Sequence, residues 1–207
     1  MKIIIAKGDK QTAPLLLTSN THINDCVIIN IANASGFKDY EDADAFIDLG
    51  FNGLFYSNAD KPILINETNK AISELIGPPD KVARFCGWPG FLERPLWELA
   101  CNTIDNNWLN PIMNTIEKQY EIVADKPGLV APRILSMIIN EAYHALSEGI
   151  STPHEIDMAM QLGTNYPEGP ISWGNRIGNE KIYDLLIELT KISNRYIPHP
   201  LLKTNKI

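Results

Sequence analysis

The sequence has no apolar run approaching the roughly 18 residues that a membrane-spanning helix needs. Its opening, Met1-Lys2-Ile3-Ile4-Ile5-Ala6, is too short for the apolar core of a secretory signal and lacks a cleavage site. Cysteine is scarce and odd in number. Cys26, Cys86 and Cys101 are widely spaced and form neither a disulfide framework nor a metal-ligand pattern, which fits a reducing cytoplasm. Positive charge is in deficit, with 18 Lys and Arg against 25 Asp and Glu and a net charge of −7. That excludes a basic nucleic-acid footprint, so neither nucleic acid nor membrane is an expected partner. What remains is ordinary globular material: 207 residues, 44% apolar and 21% charged. This is enough for one or two packed domains and too apolar for wholesale disorder.

Up to about Gly87 the signal is a series of short apolar runs bounded by Asn, Asp, Gly and Pro. Lys2–Ala6, Cys26–Ile31, Ala45–Leu49, Pro62–Asn66 and Val82–Gly87 read as buried strands. Ala71, Ile72, Leu75 and Ile76 recur at helical spacing, which predicts a helix over 68–76 and a β-α-β rhythm. The acidic stretch Asp39–Asp44 lacks a calcium-loop pattern and is expected to be a solvated loop.

From about Ala100 the period becomes helical. Ile104, Trp108, Ile112 and Ile116 predict a helix over 103–119, followed by a short extended piece at 120–124 and a Pro-Gly turn at 125–128. Leu135, Ile138, Ile139, Ala142 and Leu146 make a broad apolar stripe over 133–149, with His144 on the polar side. Thr152, Pro153 and Glu155 stand in capping-box register for the next helix, with Gly163 as its stop. Gly169-Pro170 opens a short helix. Asn179 caps a last one that buries Ile182, Leu185, Leu186, Leu189 and Ile192.

The series Asp125-Lys126-Pro127-Gly128-Leu129-Val130-Ala131-Pro132-Arg133, then Asn140-Glu141-Ala142, Glu148-Gly149, Glu155-Ile156-Asp157, Tyr166-Pro167, Gly169-Pro170 and Ile177-Gly178 resembles the C-terminal domain of the NAD-dependent 3-hydroxyacyl-CoA dehydrogenases. Upstream, Ala43–Asp48, Ile63–Asn69 and Val82–Leu99 resemble the later strands of that family's nucleotide-binding domain. The implied fold is α/β plus all-α: a truncated Rossmann-like domain over 1–99, then a helical domain over 100–207. The match to the family's fourth strand arrives by residue 43, so about one βα unit of the usual doubly wound domain is expected to be missing.

The resemblance also implies a site. The family's histidine takes the hydroxyl proton and a glutamate orients it. By position the glutamate is Glu98, the histidine is replaced by Cys86, the strand–loop serine falls at Thr68 or Asn69, and a helix asparagine falls at Pro132. A thiol cannot do what imidazole does near neutrality, and Pro132 has no side-chain donor. The glycine-rich turn that approaches a pyrophosphate is represented by Lys7-Gly8-Asp9-Lys10-Gln11-Thr12-Ala13, in which only Gly8 fits. The candidate catalytic residues are therefore Glu98, Cys86 and Thr68, and no cofactor is expected although the family uses NAD. The bland alternatives are a strand-end carboxylate carried along by ancestry for Glu98 and a small buried hydrophobe for Cys86. Trp88-Pro89-Gly90-Phe91 and Trp97 could line an apolar groove or pack a core. Two functional readings follow. One is a 3-hydroxyacyl-CoA dehydrogenase relative in acyl-CoA metabolism, taking acyl-CoA with NAD-dependent oxidation weak or lost. The other is a non-catalytic binding or assembly protein that forms a homodimer, or pairs with an active paralogue, through the helical domain.

Overall fold

The computed structural model describes residues 1–7, 26–30, 34–55 and 60–204. The chain divides into two compact units, Met1–Leu129 and Val130–Ile207.

The first unit is built on a seven-stranded sheet: β1 (Ile3–Lys7), β2 (Cys26–Asn30), β3 (Ala45–Asp48), β4 (Ile63–Asn66), β5 (Val82–Phe85), β6 (Leu96–Cys101) and β7 (Gln119–Ile122). The spatial order is β2-β1-β3-β4-β5-β6-β7. The first five strands run parallel, as continuous apolar runs buried on both faces should. The alternation of side chains fills two cores. Ile3, Ile5, Ala45, Ile47, Leu64, Ala83 and Phe85 face one side, where α1 (Leu109–Thr115) supplies Leu109, Ile112 and Met113. Ile4, Ala6, Phe46, Ile63, Ile65 and Val82 face the other, against Phe37 and Ile72. The direction then reverses: β6 is antiparallel to β5, with Ala83 opposite Cys101, and β7 is parallel to β6.

The second unit contains α2 (Ala131–Ser147), α3 (Pro153–Thr164), α4 (Pro170–Ile177), α5 (Asn179–Thr190) and α6 (Leu201–Thr204). Its core comprises Leu135, Ile139, Tyr143, Ile171, Ile177, Ile182, Leu185, Leu186 and Leu189. Thr152 and Glu155 form the expected capping box at the start of α3. Asp157 accepts from Ile171 N, Ser172 N and the Ser172 hydroxyl, so a carboxylate of α3 caps the N-terminus of α4. Gly169 is required there, because a Cβ at that position would collide with Asp157.

Three expectations need correction. The divide falls after Leu129 rather than after 99, because β6, α1 and β7 extend the sheet of the first unit. The helix expected over 103–119 shrinks to Leu109–Thr115: Asn107 N bonds the Asp105 carboxylate in a local turn, and the left-handed Glu117 (φ 53°) ends the run. The helix expected over 68–76 is a single 3₁₀ turn at Ile72–Glu74. Asn69 N and Lys70 N are taken by Glu67, Ala71 N by Glu74 and Ile72 N by Asp125, so side-chain carboxylates hold the donors a helix would use.

Candidate functional site

The reversal between β5 and β6 creates the site. β5 ends at Phe85, residues 86–95 cross over, and β6 returns along the edge. Asn66, at the end of β4, pins the start of the crossing: its Nδ2 donates to Leu49 O (3.0 Å) and its Oδ1 accepts from Gly87 N (2.8 Å). A Cβ at Gly87 would lie 2.6 Å from Asn66 Cγ, so this close approach demands glycine. Gly90, at φ 86°, turns the chain, and Phe91 N and Arg94 N donate back to Trp88 O and Phe91 O. The result is a pocket of about 270 Å³ lined by Phe85, Cys86, Phe91, Arg94, Pro95, Leu96, Trp97 and Glu98.

Two of the three expected catalytic residues meet in this pocket. Cys86 and Glu98, at the end of β5 and on β6, both line it. Burial pushes the Cys86 thiol up to about 12, and the nearby Glu98 charge acts in the same direction; the Thr68 hydroxyl, the Trp88 backbone and the Arg94 charge offset only part of the rise. The thiol is therefore protonated throughout the physiological range. Thr68 is buried beside Cys86 but outside the pocket lining. Its carbonyl accepts from Gly128 N, and its buried hydroxyl acts on the Cys86 thiol. The aromatic segment does both of its expected jobs. Trp88 is buried against Phe91 at 6.0 Å and Trp97 stacks on Phe85 at 4.7 Å, and Phe91 and Trp97 also form pocket wall.

Arg94 and Arg84 escaped the sequence reading. Arg94 Cζ lies 4.0 Å over the Phe91 ring, placing a guanidinium at the pocket. The signal was a lone cation in a run of aromatic and apolar residues. Arg84 is wholly buried on β5, paired with Asp125 and bonded to the carbonyls of Glu67 and Lys126. A charge inside an apolar strand run, with an unassigned Asp 41 residues on, was its only trace.

Elsewhere, Lys2 bonds Asp42 and Asp44, which makes the acidic stretch a surface clasp. His144 packs edge-on against His199 at 4.7 Å instead of standing alone on a polar face. Pro132 is buried at the start of α2, and Arg133 stacks on Tyr196. The turn at 8–13 lies outside the described residues. Among the described residues no cluster of His, Cys, Asp and Glu could hold a metal ion, and no helix is long and apolar enough to cross a membrane.

A mostly parallel sheet followed by a separate helical unit is an architecture of the doubly wound type with an added helical domain. The profile of the family described as 3-hydroxyacyl-CoA dehydrogenase, C-terminal domain, matches residues 128–205. The chain is a relative of the 3-hydroxyacyl-CoA dehydrogenases, and its helical unit belongs to their C-terminal domain family. A 3-hydroxyadipyl-CoA dehydrogenase of Escherichia coli is 45% identical over 83 residues, 39% of this chain and 18% of that protein. A 3-hydroxybutyryl-CoA dehydrogenase of Clostridioides difficile is 24% identical over 196 residues, 85% of this chain and 70% of that protein. The chain thus spans from under a fifth to just over two thirds of these relatives. The crystal structure of an (S)-3-hydroxybutyryl-CoA dehydrogenase from Ralstonia eutropha superposes with a TM-score of 0.67 at 23% identity, over 86% of this chain and 69% of that one. This last likeness concerns the fold.

Proposed function

We propose that this protein takes an acyl thioester in the pocket between β5 and β6 and that NAD-dependent oxidation of a 3-hydroxyl is weak or lost. One observation carries the second clause: Cys86, at the position the resemblance assigns to the proton-accepting histidine, is a thiol held protonated by burial. It has no basic lone pair to take a hydroxyl proton at neutral pH. Glu98 remains in the same pocket lining.

The nucleotide end supports the same reading. In open α/β sheets a dinucleotide lies at the carboxyl ends of the strands where their order reverses, here β1 and β3, where Ala6 pairs with Asp48. Asp48 is buried there, with its pKa pushed up to about 6 by burial. At neutral pH it is a carboxylate and repels phosphate. The sequence after β1 adds Asp9 and places Lys10 where the second glycine would stand. These residues do not fit a pyrophosphate, and no step is routed through a nicotinamide. Isothermal calorimetry tests both clauses: binding of an acyl-CoA without measurable binding of NADH is expected, and micromolar NADH binding would sink the second clause.

A second reading, pairing through the helical unit, is favoured by exposed apolar side chains there, including Ile134, Ile150, Leu162 and Ile187. Light scattering during size exclusion is expected to give twice the 23.2 kDa chain mass. The chain mass itself would remove the homodimer from this reading.

A further inference from the structure

We infer that Arg94 makes this pocket a receptor for a carboxylate carried on a short apolar body. Arg94 lines the pocket, and its Cζ lies over the Phe91 ring, 4.0 Å from the ring centre. A cation over a ring is attracted by the π face without using up the N–H hydrogen bonds of its guanidinium. None of the ion pairs among the described residues involves Arg94. A partly buried guanidinium without a carboxylate of its own is matched by a planar carboxylate, which accepts two parallel N–H bonds. Lys118 adds to the positive field, its Nζ bonded to the Arg94 carbonyl and lying 6.0 Å from the Trp97 ring centre.

The remaining wall sets the rest of the ligand. Phe85, Phe91, Leu96 and Trp97 offer mostly apolar surface; their one donor is the Trp97 indole N–H, which has no partner and is too little for the further oxygens of a phosphate. Glu98 in the same pocket repels a second negative charge. The ligand therefore directs its carboxylate to Arg94 and its hydrocarbon to the aromatic wall. The inference deepens the acyl reading of this pocket, and the probes that test it contain no thioester or CoA, so the two can fail separately.

The test is a titration of the full chain with pentanoate, pentanamide and inorganic phosphate, followed by tryptophan fluorescence because Trp97 lines the pocket. Pentanoate is expected to bind about tenfold or more tightly than pentanamide. Arg94→Met should abolish that preference while leaving pentanamide binding unchanged. Arg94→Lys, which keeps the charge and loses the fork, should retain only part of it. Far-UV circular dichroism identical to the parent protein certifies that each variant is folded. Equal affinity for the acid and the amide, a preference that survives Arg94→Met, or phosphate binding as tightly as pentanoate would each overturn the assignment. Acyl-CoA binding without pentanoate binding overturns this inference and leaves the acyl reading standing; pentanoate binding without acyl-CoA binding does the reverse.

Discussion

Arg84 Nε and Asp125 Oδ1 meet at 2.5 Å, joining the middle of β5 to the segment that follows β7. The guanidinium also donates to the carbonyls of Glu67 and Lys126, and the other oxygen of Asp125 accepts from Ile72 N at 2.8 Å. One ion pair therefore ties together β5, the 3₁₀ turn and the end of the first unit. Arg84→Met leaves Asp125 without its cation and two carbonyls without a donor. Breaking one partner of such a pair costs about 3 kcal/mol or more, seen as an earlier urea transition by tryptophan fluorescence. Three of the four tryptophans, Trp88, Trp97 and Trp108, report on this unit. An unchanged midpoint would show that the pair is dispensable.

Asp48 gives the protein an unusual pH dependence. Its carboxyl is pushed up to about 6 by burial, against an ordinary 3.8, with Gly50 N as its one opposing hydrogen bond. Between those values the folded chain holds a proton that the unfolded chain has released. Stability therefore falls as pH rises from about 4 through 6, and stays lower above it. By linkage the loss is about 3 kcal/mol. Asp48→Asn should remove that fall and raise the thermal midpoint at pH 7. A variant no more stable than the parent at pH 7 would refute the burial cost.

The cysteines should differ in reactivity. Cys86 is buried with a thiol near 12, whereas Cys101 is partly exposed and less shifted. Since the thiolate is the nucleophile, iodoacetamide at pH 8 should label Cys101 well ahead of Cys86, as read by peptide mass spectrometry. Equal labelling would contradict the protonated, enclosed thiol on which the loss of base catalysis rests.

Asp157 and Gly169 form a testable pair in the helical unit. Asp157→Ala strips the α4 N-terminus of a carboxylate that accepts three hydrogen bonds, at a cost of about 2 kcal/mol. Gly169→Ala collides with the Asp157 side chain and should cost at least as much. The Asp157→Ala background removes Cγ and the carboxylate oxygens but keeps the Cβ that would lie 2.2 Å away, so the collision is relieved in part and the two effects should fall short of additivity. Strict additivity in thermal unfolding would rule out the close packing.

The sequence shows most readily what neighbouring residues decide together. The five parallel strands were legible because each is a continuous apolar run, and α3 because Thr152, Pro153 and Glu155 settle its start within four residues. The 68–76 helix was not legible as a turn, because Asp125, 53 residues from Ile72, takes one of its donors. The place of β6 in the sheet depends on pairing with β5 and β7, which no local pattern announces. Of the candidate site, Cys86 and Glu98 came from a resemblance and do share a pocket. Arg94 did not, because its meaning depends on the Phe91 ring beneath it and on the absence of an acidic partner among the described residues.

The pocket lining comes from a single stretch, Phe85 to Glu98, while the register that holds its two ends, Ala83 with Cys101 and Arg84 with Ala100, lies outside it. The pocket-forming stretch is thus anchored by the sheet and shares with it the start of β6 and the core side chains Phe85, Leu92 and Trp97. Exchanging Arg94 and Pro95 while keeping Leu92 in place retunes what the pocket admits, from an anion to a neutral chain, without redesigning either core.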